Sequence, residues 1–540
     1  MSQVTLHESD DPDHIAEPFP TPSQAPATVP DPSRRETALT AVGLTALTTA
    51  SLALRMRGLG ISLWLDEGLS VGISSHGLGD IPGLLVQDGS PPLYYMVLHV
   101  WMGLFGRSEE AVRALSLVLV LATIPVAFWA ARSLFGRRTA WIAAVLAATS
   151  SYLTFYAREA RMYALLVLVC LVCVTAFVHV FALGHRRWLP GFAVSLALAL
   201  YTHNWALYLA LGLGLAVVVC ARARAPRQVL RDAVIGFGAT GLLYAPWLPT
   251  LLFQAGHTGA PWSQTPGAGE LVGALQSVLG DRRVGFALVL VGLPALVAVG
   301  RRWRSGPGLA VVALVVTLVT SVVLAWASSQ LKPAWAGRYF GLFLAPLLLL
   351  VALGLAREGR RGLVALGLIV ALWTNPLSLL PGFGPSRIPQ KSNVRAATEL
   401  VDGDLEPGDL VVSIQLEHAP LLRYYLGSGL RYANPAGLLG DPYMADWRDG
   451  LARMRAATPA QGLVPLVDEL PTGSHLVLAC PRVHTEEDDL EWFRLMERNC
   501  ESWRRALDGD GSMALIDGPV SPSPRRSPGA SIFLLVYEKS

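Results

Sequence analysis

Trp64-Leu65-Asp66-Glu67 places two adjacent carboxylates just after the first long apolar segment of the chain. Acidic side chains at the edge of a membrane are costly to keep near hydrocarbon, so they are functional candidates by default. The simpler alternative is that Asp66 caps a surface helix, which suits an Asp that is followed by Glu. The sequence around this stretch bears on which alternative holds.

The composition of the chain indicates a polytopic membrane protein. Of 540 residues, 52% are hydrophobic and only 15% are charged, and the mean hydropathy is +0.43. A soluble chain of this length rarely combines so few charges with so much apolar content. The net charge of +3 is too small to indicate a nucleic-acid partner. We therefore expect a mainly α-helical protein in a lipid bilayer.

Changes in composition divide the chain into three predicted regions. Residues 1–35 are rich in Pro, Asp, Glu and Ser and are predicted to be a disordered cytoplasmic tail. Residues 36–384 contain the apolar runs and are predicted to be a transmembrane domain. Residues 385–540 are polar and are predicted to form an extracytoplasmic α/β domain. Its expected strands lie near 409–414, 475–479 and 532–537, and its expected helices near 451–457 and 488–499.

The apolar runs predict about eleven membrane-spanning helices. These predicted spans are 37–54, 114–135, 139–156, 162–183, 188–201, 205–220, 233–252, 284–300, 308–328, 339–355 and 363–380. A shorter run, 93–105, either crosses the membrane or lies in its interface with Tyr94, Tyr95 and Trp101 as anchors.

Basic clusters decide the topology, because Lys and Arg accumulate in cytoplasmic loops. If 93–105 does not cross, all the large clusters fall on the side of the N-terminal tail; they lie at 132–138, 186–187, 222–231, 301–304 and 357–361. If it crosses, all of them fall outside. We therefore predict that 93–105 is an interfacial helix. The same topology gathers on the outer face Asp66-Glu67, the segments 158–161, 202–204, 254–281 and 332–338, and the C-terminal domain.

The stretch from Tyr156 to Tyr163 carries three charges between two apolar runs. Arg158 and Arg161 are three residues apart, which places them on one face of a helix. Two guanidiniums in this arrangement suit a phosphate or pyrophosphate, which Arg binds bidentately. The alternative is an ordinary connector between spans.

Tyr201-Thr202-His203-Asn204-Trp205 divides a long apolar run into two halves that are rather short for a crossing. Irregular backbone within a membrane must be buried in protein or face water, so this turn is predicted to be recessed in a cavity. His203 is a ligand, a hydrogen-bond donor to substrate or a satisfied turn residue.

Two cations and two aromatics, Lys332, Trp335, Arg338 and Tyr339, stand at the outer start of a predicted span. Snorkelling side chains and an aromatic belt explain this pattern without any function. Arg338 beside Tyr339 at the entrance also suits an anionic lipid headgroup.

The outer face thus combines carboxylates for general-base chemistry, cations for phosphate and aromatics on which a sugar ring can stack. This set fits the transfer of a group from a lipid phosphate leaving group. A transporter would more often carry charged residues within its spans, which here are nearly free of charge. The alternatives that stay open are a flippase for lipid-linked sugars that does no chemistry and a non-catalytic scaffold.

Several motifs carry a resemblance to a known superfamily. The acidic pair is followed by Ser90-Pro91-Pro92-Leu93-Tyr94-Tyr95 and by Phe105-Gly106-Arg107-Ser108-Glu109-Glu110-Ala111-Val112-Arg113. With the 156–163 stretch and Arg338-Tyr339, this pattern resembles the GT-C glycosyltransferases. It is most similar to the bacterial branch related to protein O-mannosyltransferases and the aminoarabinose transferase of lipid A. The resemblance covers roughly residues 37 to 380.

The resemblance implies a multi-span enzyme that uses a polyprenyl-phosphate sugar as donor at the outer face. It implies that Asp66 is the catalytic base and that Glu67 supports it. The aminoarabinose branch has an Asp at the second outer junction, where this chain has Glu159, which either positions the acceptor or pairs with an Arg.

The resemblance also implies sets of binding residues. It implies that Arg161, Arg338 and Lys332 bind the donor phosphate, and the residue patterns described above add Arg158 and Tyr339 to this set. Substrate contacts are predicted for Asp88, Tyr163, His203, Asn204 and Trp335. Some members of the superfamily use a divalent metal such as Mg or Mn, for which Asp66, Asp88 and His203 are the candidate ligands.

The predicted protein is therefore a glycosyltransferase of a bacterial plasma membrane, with a cytoplasmic N-terminus and an outer active site. Its acceptor would be an envelope glycan, a lipid or a protein. Cys480 and Cys500 are in the polar region and can form a disulfide if the compartment is oxidising. His418, at a strand end, contacts the acceptor or is a plain surface histidine.

Overall fold

The computed structural model describes residues 34–280, 282–375, 390–482, 490–521 and 531–540. The predicted tail lies outside these ranges except for residues 34 and 35, where the first helix begins. The chain divides into two compact units, residues 1–45 and 46–540. The described part of the first unit, residues 34–45, is the beginning of a single helix.

The membrane part is built from helices. Their bounds are α1 Arg34–Arg55, α2 Leu65–Ser74, α3 Ile81–Asp88, α4 Leu93–Phe105, α5 Glu109–Phe135, α6 Arg137–Thr149, α7 Ser151–Tyr156, α8 Tyr163–Phe177, α9 Leu189–Thr202, α10 Ala206–Ala223, α11 Pro226–Tyr244, α12 Leu248–His257, α13 Gly269–Leu279, α14 Arg282–Ala287, α15 Leu293–Gly300, α16 Gly306–Leu331, α17 Gly341–Arg357 and α18 Gly359–Thr374. Short 3₁₀ or π segments, among them Val178–Ala182 and Gly337–Phe340, extend several of these helices.

Eight helical segments within the described ranges are long and apolar enough to cross a membrane. They are Arg34–Arg55, Glu109–Phe135, Tyr163–Ala182, Ala206–Ala223, Pro226–His257, Arg282–Gly300, Gly306–Leu331 and Gly337–Arg357. The other three predicted spans form shorter helices: α6 followed by α7, α9 and α18. The multi-pass, mainly helical fold is confirmed, whereas the count of eleven spans stays a prediction.

Helix α4 has only 13 residues, about 20 Å at 1.5 Å per residue, which is too short to cross roughly 30 Å of hydrocarbon. Val100, Leu104 and Phe105 are exposed on one side, while Tyr94 and Tyr95 are fully buried. The prediction that these two tyrosines anchor the helix in the interface is therefore wrong, because they face the protein interior.

The C-terminal region forms the predicted α/β domain. Its elements are α19 Val394–Thr398, β1 Leu410–Ser413, α20 His418–Tyr425, β2 Arg431–Asn434, β3 Gly437–Leu438, α21 Gly450–Ala456, α22 Pro459–Gly462, α23 Val464–Asp468, β4 His475–Arg482, α24 Glu491–Asp508, β5 Met513–Val520 and β6 Ser531–Lys539. The six strands have the order β3-β2-β1-β4-β6-β5. Strands β2, β1 and β4 are parallel, and the other pairings are antiparallel. A disulfide between Cys480 and Cys500 joins β4 to α24.

This domain packs directly on α2, the helix that begins at the acidic stretch. A Cβ atom on Gly68 would lie 2.9 Å from the Cα of Leu421, so only glycine permits α20 to approach α2 so closely. His418, at the start of α20, is fully buried. The surface histidine considered from the sequence is thus wrong, because the start of α20, the helix that packs on α2, is buried.

The segment 390–393 ties the loop before α2 to the last strand. The backbone N–H of Ser62 donates to Oε1 of Gln390 at 2.9 Å, and the Ser62 hydroxyl donates to the carbonyl of Ser392 at 2.6 Å. Asn393 exchanges two hydrogen bonds of 2.8 Å with the backbone of Ile532 in β6. Residues far apart in sequence therefore meet around the start of α2.

Candidate active site

Helix α2 begins within the acidic stretch itself. Trp64 is extended and is the residue before the helix. Its backbone N–H donates to Oε2 of Glu67 at 3.3 Å, and acidic residues in a first turn also interact favourably with the helix dipole. Glu67, rather than Asp66, therefore accepts the hydrogen bond from the residue that precedes the helix. Asp66 is left without a capping role.

Glu67 lies at the centre of a saturated network. Its side chain is 0% exposed, and Arg113 donates to both of its oxygens at 2.7 and 2.6 Å. The backbone N–H of Ala160 donates to Oε1 at 2.9 Å, and Nζ of Lys391 is 3.5 Å away. Burial alone would raise the pKa of Glu67, but Lys391, Arg113 and these hydrogen bonds hold it below its ordinary value. Glu67 is a fixed anion.

Arg113 extends this network to the backbone before α2. Its guanidinium also donates to the carbonyls of Leu59, Ile61 and Ser62. Because a buried guanidinium and its partners have one geometry in which all are satisfied, this contact fixes the path of the chain into α2.

Asp66, one residue earlier, has a different environment. Its side chain is 18% exposed, and Oδ2 is 3.7 Å from Nε of Arg161 and 3.9 Å from Nε of Arg338. These separations are too long for hydrogen bonds, and none of the three atoms has a hydrogen-bond partner elsewhere in the described part of the chain. Asp66 thus lies between two guanidiniums and faces a cavity, and its Oδ2 is available to a ligand.

Both guanidiniums are held in place by neighbouring side chains. Nη1 of Arg161 donates to the hydroxyls of Ser70 and Tyr95, each at 3.2 Å. The Arg338 guanidinium lies 4.2 Å from the ring centre of Trp262. Two positioned cations beside one carboxylate can bind an anion and leave the carboxylate free to accept a proton.

Glu159 lies behind this site and does not line the cavity. It is 1% exposed, and neither carboxylate oxygen has a hydrogen bond to any residue within the described ranges. Burial raises its pKa to about 7; Lys391, whose Nζ is 3.8 Å from Oε2, lowers it, whereas the charges of Glu67 and Asp66 raise it. Of the two predicted roles for Glu159, the geometry offers an ion pair, although with Lys391 rather than an Arg.

The other arginine of the junction points elsewhere. Nη2 of Arg158 donates to the carbonyl of Leu54 at 3.2 Å, and its own carbonyl accepts from Lys391 at 2.8 Å. Arg158 is absent from the cavity wall. Of the two arginines predicted to bind donor phosphate at this junction, only Arg161 reaches the cavity.

The turn between α9 and α10 is recessed into the cavity, with His203 8% exposed. Nδ1 of His203 accepts from the backbone N–H of Trp205 at 3.1 Å, which assigns the proton to Nε2. Burial lowers the pKa of His203 to about 3, and Arg161 and Arg338 act in the same direction. His203 is therefore neutral, and its Nε2–H is a donor.

Asn204 connects the same turn to the α3–α4 loop, and Asp88 at the end of α3 is bonded to α4. Asn204 Nδ2 donates to the carbonyl of Gly89 at 2.9 Å, and Tyr95 donates to Asp88 Oδ2 at 3.5 Å. Burial raises the pKa of Asp88, although Arg161 opposes the rise. Both predicted substrate residues line the cavity.

The remaining predicted residues divide between the cavity and its surroundings. Tyr339 lines the cavity, and its ring centre is 4.7 Å from that of His203. Tyr163 is fully buried beneath it, with ring centres 6.4 Å apart. Trp335 packs against Trp205, with ring centres 5.8 Å apart. Neither Tyr163 nor Trp335 is part of the cavity wall.

Lys332 lines the cavity, but its ammonium group is already engaged. Nζ donates to the carbonyls of Ala255 at 2.9 Å and Thr258 at 2.7 Å, at the end of α12. A cation at a helix C-terminus stabilises the helix, so Lys332 has a structural role in this arrangement.

The cavity has a volume of about 1680 Å³ and two contrasting walls. Within the membrane part, Leu207, Leu211, Gly214, Phe237 and Leu251 of α10, α11 and α12 form an apolar wall. Under the C-terminal domain, polar side chains including Gln415, Glu417 and Arg482 form another wall. Lys391, Trp262 and Glu417 were not found by sequence reasoning, because only the tertiary fold brings them to the site.

Within the described ranges, no group of three or more His, Cys, Asp or Glu side chains is placed to hold a metal ion. Asp66, Asp88 and His203 do not form such a group. A divalent metal stays a prediction from the resemblance, and the chemistry proposed below uses side chains alone.

One protein family matches part of the chain. Residues 89–249 match the family described as dolichyl-phosphate-mannose-protein mannosyltransferase. No curated protein sequence matches the chain significantly. The family match lies within the helical bundle and includes Arg161, His203 and Asn204.

Solved structures with a similar fold cover nearly all of the chain. ArnT from Cupriavidus metallidurans in the apo state has a TM-score of 0.59 and 16% identity, over 92% of this chain and 98% of that one. ArnT bound to undecaprenyl phosphate has a TM-score of 0.56 and 15% identity, over 93% and 97%. The oligosaccharyltransferase AglB from Archaeoglobus fulgidus, in complex with an inhibitory peptide and a dolichol-phosphate, has a TM-score of 0.53 and 11% identity, over 91% and 74%.

These similarities agree with the resemblance predicted from the motifs. The solved structures confirm the predicted GT-C fold with its C-terminal domain, and the family match over residues 89–249 agrees with the predicted enzyme class, a glycosyltransferase.

Proposed function

We propose that this protein transfers a sugar from a polyprenyl-phosphate donor to an acceptor on the extracytoplasmic face of a bacterial plasma membrane, with Asp66 as general base. The observation that carries this proposal is the uncommitted Oδ2 of Asp66, which faces the cavity between Arg161 and Arg338. An acceptor hydroxyl and a phosphate can approach such a site from the same cavity.

The two walls of the cavity support the donor class. Arg161 and Arg338 supply the positive charge that a phosphate requires, and the apolar wall between α10, α11 and α12 suits a polyprenyl chain. ArnT was solved with undecaprenyl phosphate and AglB with a dolichol-phosphate, so two proteins of this fold bind lipid phosphates. Neutral His203 adds an N–H donor on the same side.

The proposed step moves one sugar and one proton. The acceptor oxygen bonds to the anomeric carbon while the bond from that carbon to the phosphate oxygen breaks. The electron pair leaves with the polyprenyl phosphate, whose charge Arg161 and Arg338 stabilise, and the acceptor proton passes to Asp66. General-base catalysis of this kind contributes about 10²- to 10⁴-fold to the rate.

The proposed orientation has two supports. The basic clusters of the predicted loops favour a cytoplasmic side opposite to Asp66. The Cys480–Cys500 disulfide suits an oxidising compartment outside the cytoplasm. The acceptor is therefore an envelope glycan, lipid or protein that is reached from outside.

The test uses purified full-length protein in lipid nanodiscs with a panel of polyprenyl-phosphate sugars. The expected result is release of polyprenyl phosphate from one donor, which Asp66→Asn abolishes without lowering the yield of folded protein. A flippase would move donors across a vesicle membrane without releasing polyprenyl phosphate, and that result would replace the enzyme reading. Turnover that persists in Asp66→Asn would remove Asp66 as the base.

A further inference from the structure

The strand order of the C-terminal sheet creates a crevice at a defined place. From β1 the chain moves to β2 on one side and later returns to β4 on the other side, and all three strands are parallel. In open α/β sheets with such a reversal, ligands bind beyond the carboxyl ends of the two strands where the order reverses. Here these strands are β1 and β4.

The residues that follow these two carboxyl ends line the same cavity as Asp66. Gln415 and Glu417 follow β1, and Arg482 ends β4. We name these three residues the switch-point crevice. The close packing of α20 on α2 at Gly68 brings this crevice to the site, because α20 begins immediately after Glu417.

The turn that presents Glu417 is fixed by hydrogen bonds. The Ser413 hydroxyl donates to the carbonyl of Gln415 at 2.6 Å, and the backbone N–H of His418 donates to the same carbonyl at 3.1 Å. Glu417 is therefore held between strand and helix with little freedom to move away from the cavity.

Glu417 is itself unusual in this position. It is 6% exposed, and its Oε2 has no hydrogen-bond partner among the residues that the structure describes. Burial raises its pKa to about 7, and the Asp66 charge acts in the same direction. Buried polar atoms are normally hydrogen-bonded, so an unpartnered carboxylate oxygen beside a cavity points to a ligand group that completes it.

We infer that the switch-point crevice is the acceptor subsite and takes an uncharged, hydroxyl-rich carbohydrate, with Glu417 bonded to an acceptor hydroxyl. This inference rests on the proposed transfer reaction. The carboxylate of Glu417 accepts hydrogen bonds, the guanidinium of Arg482 donates them, and the amide of Gln415 does both. This set suits sugar hydroxyls, which both donate and accept hydrogen bonds.

A phosphorylated acceptor fits the described wall less well. Its Lys and Arg residues are Arg161, Lys332, Arg338 and Arg482. Arg161 and Arg338 flank Asp66, and Lys332 is bonded to the end of α12. Of these four described cations, Arg482 is the one that stays available to an acceptor phosphate.

The experiment compares Glu417→Gln with wild type as full-length protein in nanodiscs, since maltoside detergents would themselves supply acceptor hydroxyls. The donor carries a labelled sugar, and the acceptor probes are an octyl glycoside of a neutral disaccharide and a phosphorylated disaccharide lipid. Two products are measured: label on the probe and label released to water. Glu469→Gln, a surface acid of the same domain that pairs with Arg431, is the matched control.

We expect label on the neutral probe, a KM for that probe at least ten times higher in Glu417→Gln, and a smaller change in release to water than in transfer to the probe. Glu469→Gln should match wild type in both products. An unchanged KM, preferential labelling of the phosphorylated probe, or equal loss of transfer and release to water would overturn the subsite.

A binding measurement separates this inference from the proposed function. Equilibrium binding of the labelled octyl disaccharide to the nanodiscs requires no turnover and should weaken at least tenfold in Glu417→Gln. If no donor yields polyprenyl phosphate, the proposed function fails, and the binding result still decides whether the crevice takes a neutral carbohydrate. If release to water occurs but the neutral probe is neither bound nor labelled, the subsite fails and the proposed function stands.

Discussion

Two charged clusters, centred on the adjacent residues Asp66 and Glu67 at the start of α2, differ in how many of their hydrogen bonds are formed. Behind the helix, Glu67 is bonded to Arg113 at 2.7 and 2.6 Å and to the N–H of Ala160. On the cavity side, Oδ2 of Asp66 is 3.7 and 3.9 Å from Nε of Arg161 and Nε of Arg338, and no described residue forms a hydrogen bond with it. We call them the Glu67 cluster and the Asp66 cluster.

The difference teaches how one acidic pair can serve two purposes. A buried ion pair with all partners in place resists change, since removal of one partner leaves an uncompensated charge. A carboxylate whose cations stand just beyond hydrogen-bond distance keeps a lone pair for a substrate proton. The Glu67 cluster therefore holds the geometry in which the Asp66 cluster reacts.

The largest expected effect comes from breaking the Glu67 cluster with Arg113→Met. Glu67 would lose its two hydrogen bonds from Arg113, and three backbone carbonyls would lose the same donor, at a cost of about 3–5 kcal/mol. We expect almost no monodisperse protein by size-exclusion chromatography. Arg107→Met, an exposed arginine on the same segment, should purify like wild type, and equal yields of the two variants would contradict the assignment.

An intermediate effect is expected in the Asp66 cluster. Arg338→Gln removes one cation from the cavity and should weaken binding of undecaprenyl phosphate about tenfold or more, as charge-assisted hydrogen bonds predict. Arg158→Gln should change this affinity less than twofold, because Arg158 bonds to the carbonyl of Leu54 away from the cavity. Equal losses in the two variants would favour the sequence interpretation, in which both arginines bind phosphate.

The smallest effect concerns pH and Glu159, between the two clusters. Burial raises the pKa of Glu159 to about 7, so the folded protein keeps this proton at pH values where the unfolded chain has lost it. The contribution of Glu159 to the free energy of unfolding therefore falls as pH rises from about 4.5 to about 7. Glu159→Gln cannot titrate, and its melting temperature should fall less than that of wild type between pH 5 and pH 8. Parallel melting curves across this range would show that Glu159 has an ordinary pKa.

Local sequence patterns predicted much of the fold. Apolar runs identified the helical segments, and turn residues and apolar runs identified β1, β4 and β6. Asp66 and Arg161, which line the cavity, were predicted as candidate site residues because charges at the edge of apolar runs are rare and informative. Strands β2, β3 and β5 were missed, since they are short or exposed and lack a strong apolar pattern.

What the sequence could not predict depends on contacts between distant residues. Arg113 is 46 positions from Glu67, and Lys391 is 233 positions from the Arg158 carbonyl to which it donates. No spacing rule links such positions. Tyr94 and Tyr95 were assigned to the interface because a short apolar helix does not reveal which face is buried. Lys332 was assigned to phosphate because its carbonyl partners at the end of α12 follow from the fold alone.

The most direct test compares Asp66→Asn with Glu67→Gln, two isosteric changes one residue apart. For each, the melting temperature and the release of polyprenyl phosphate per folded molecule are measured in nanodiscs. We predict that Asp66→Asn keeps the wild-type melting temperature and loses turnover by at least about a hundredfold, whereas Glu67→Gln melts lower and keeps turnover in its folded fraction. Normal melting with lost turnover in Glu67→Gln, together with an active Asp66→Asn, would contradict the division of roles between the two acids.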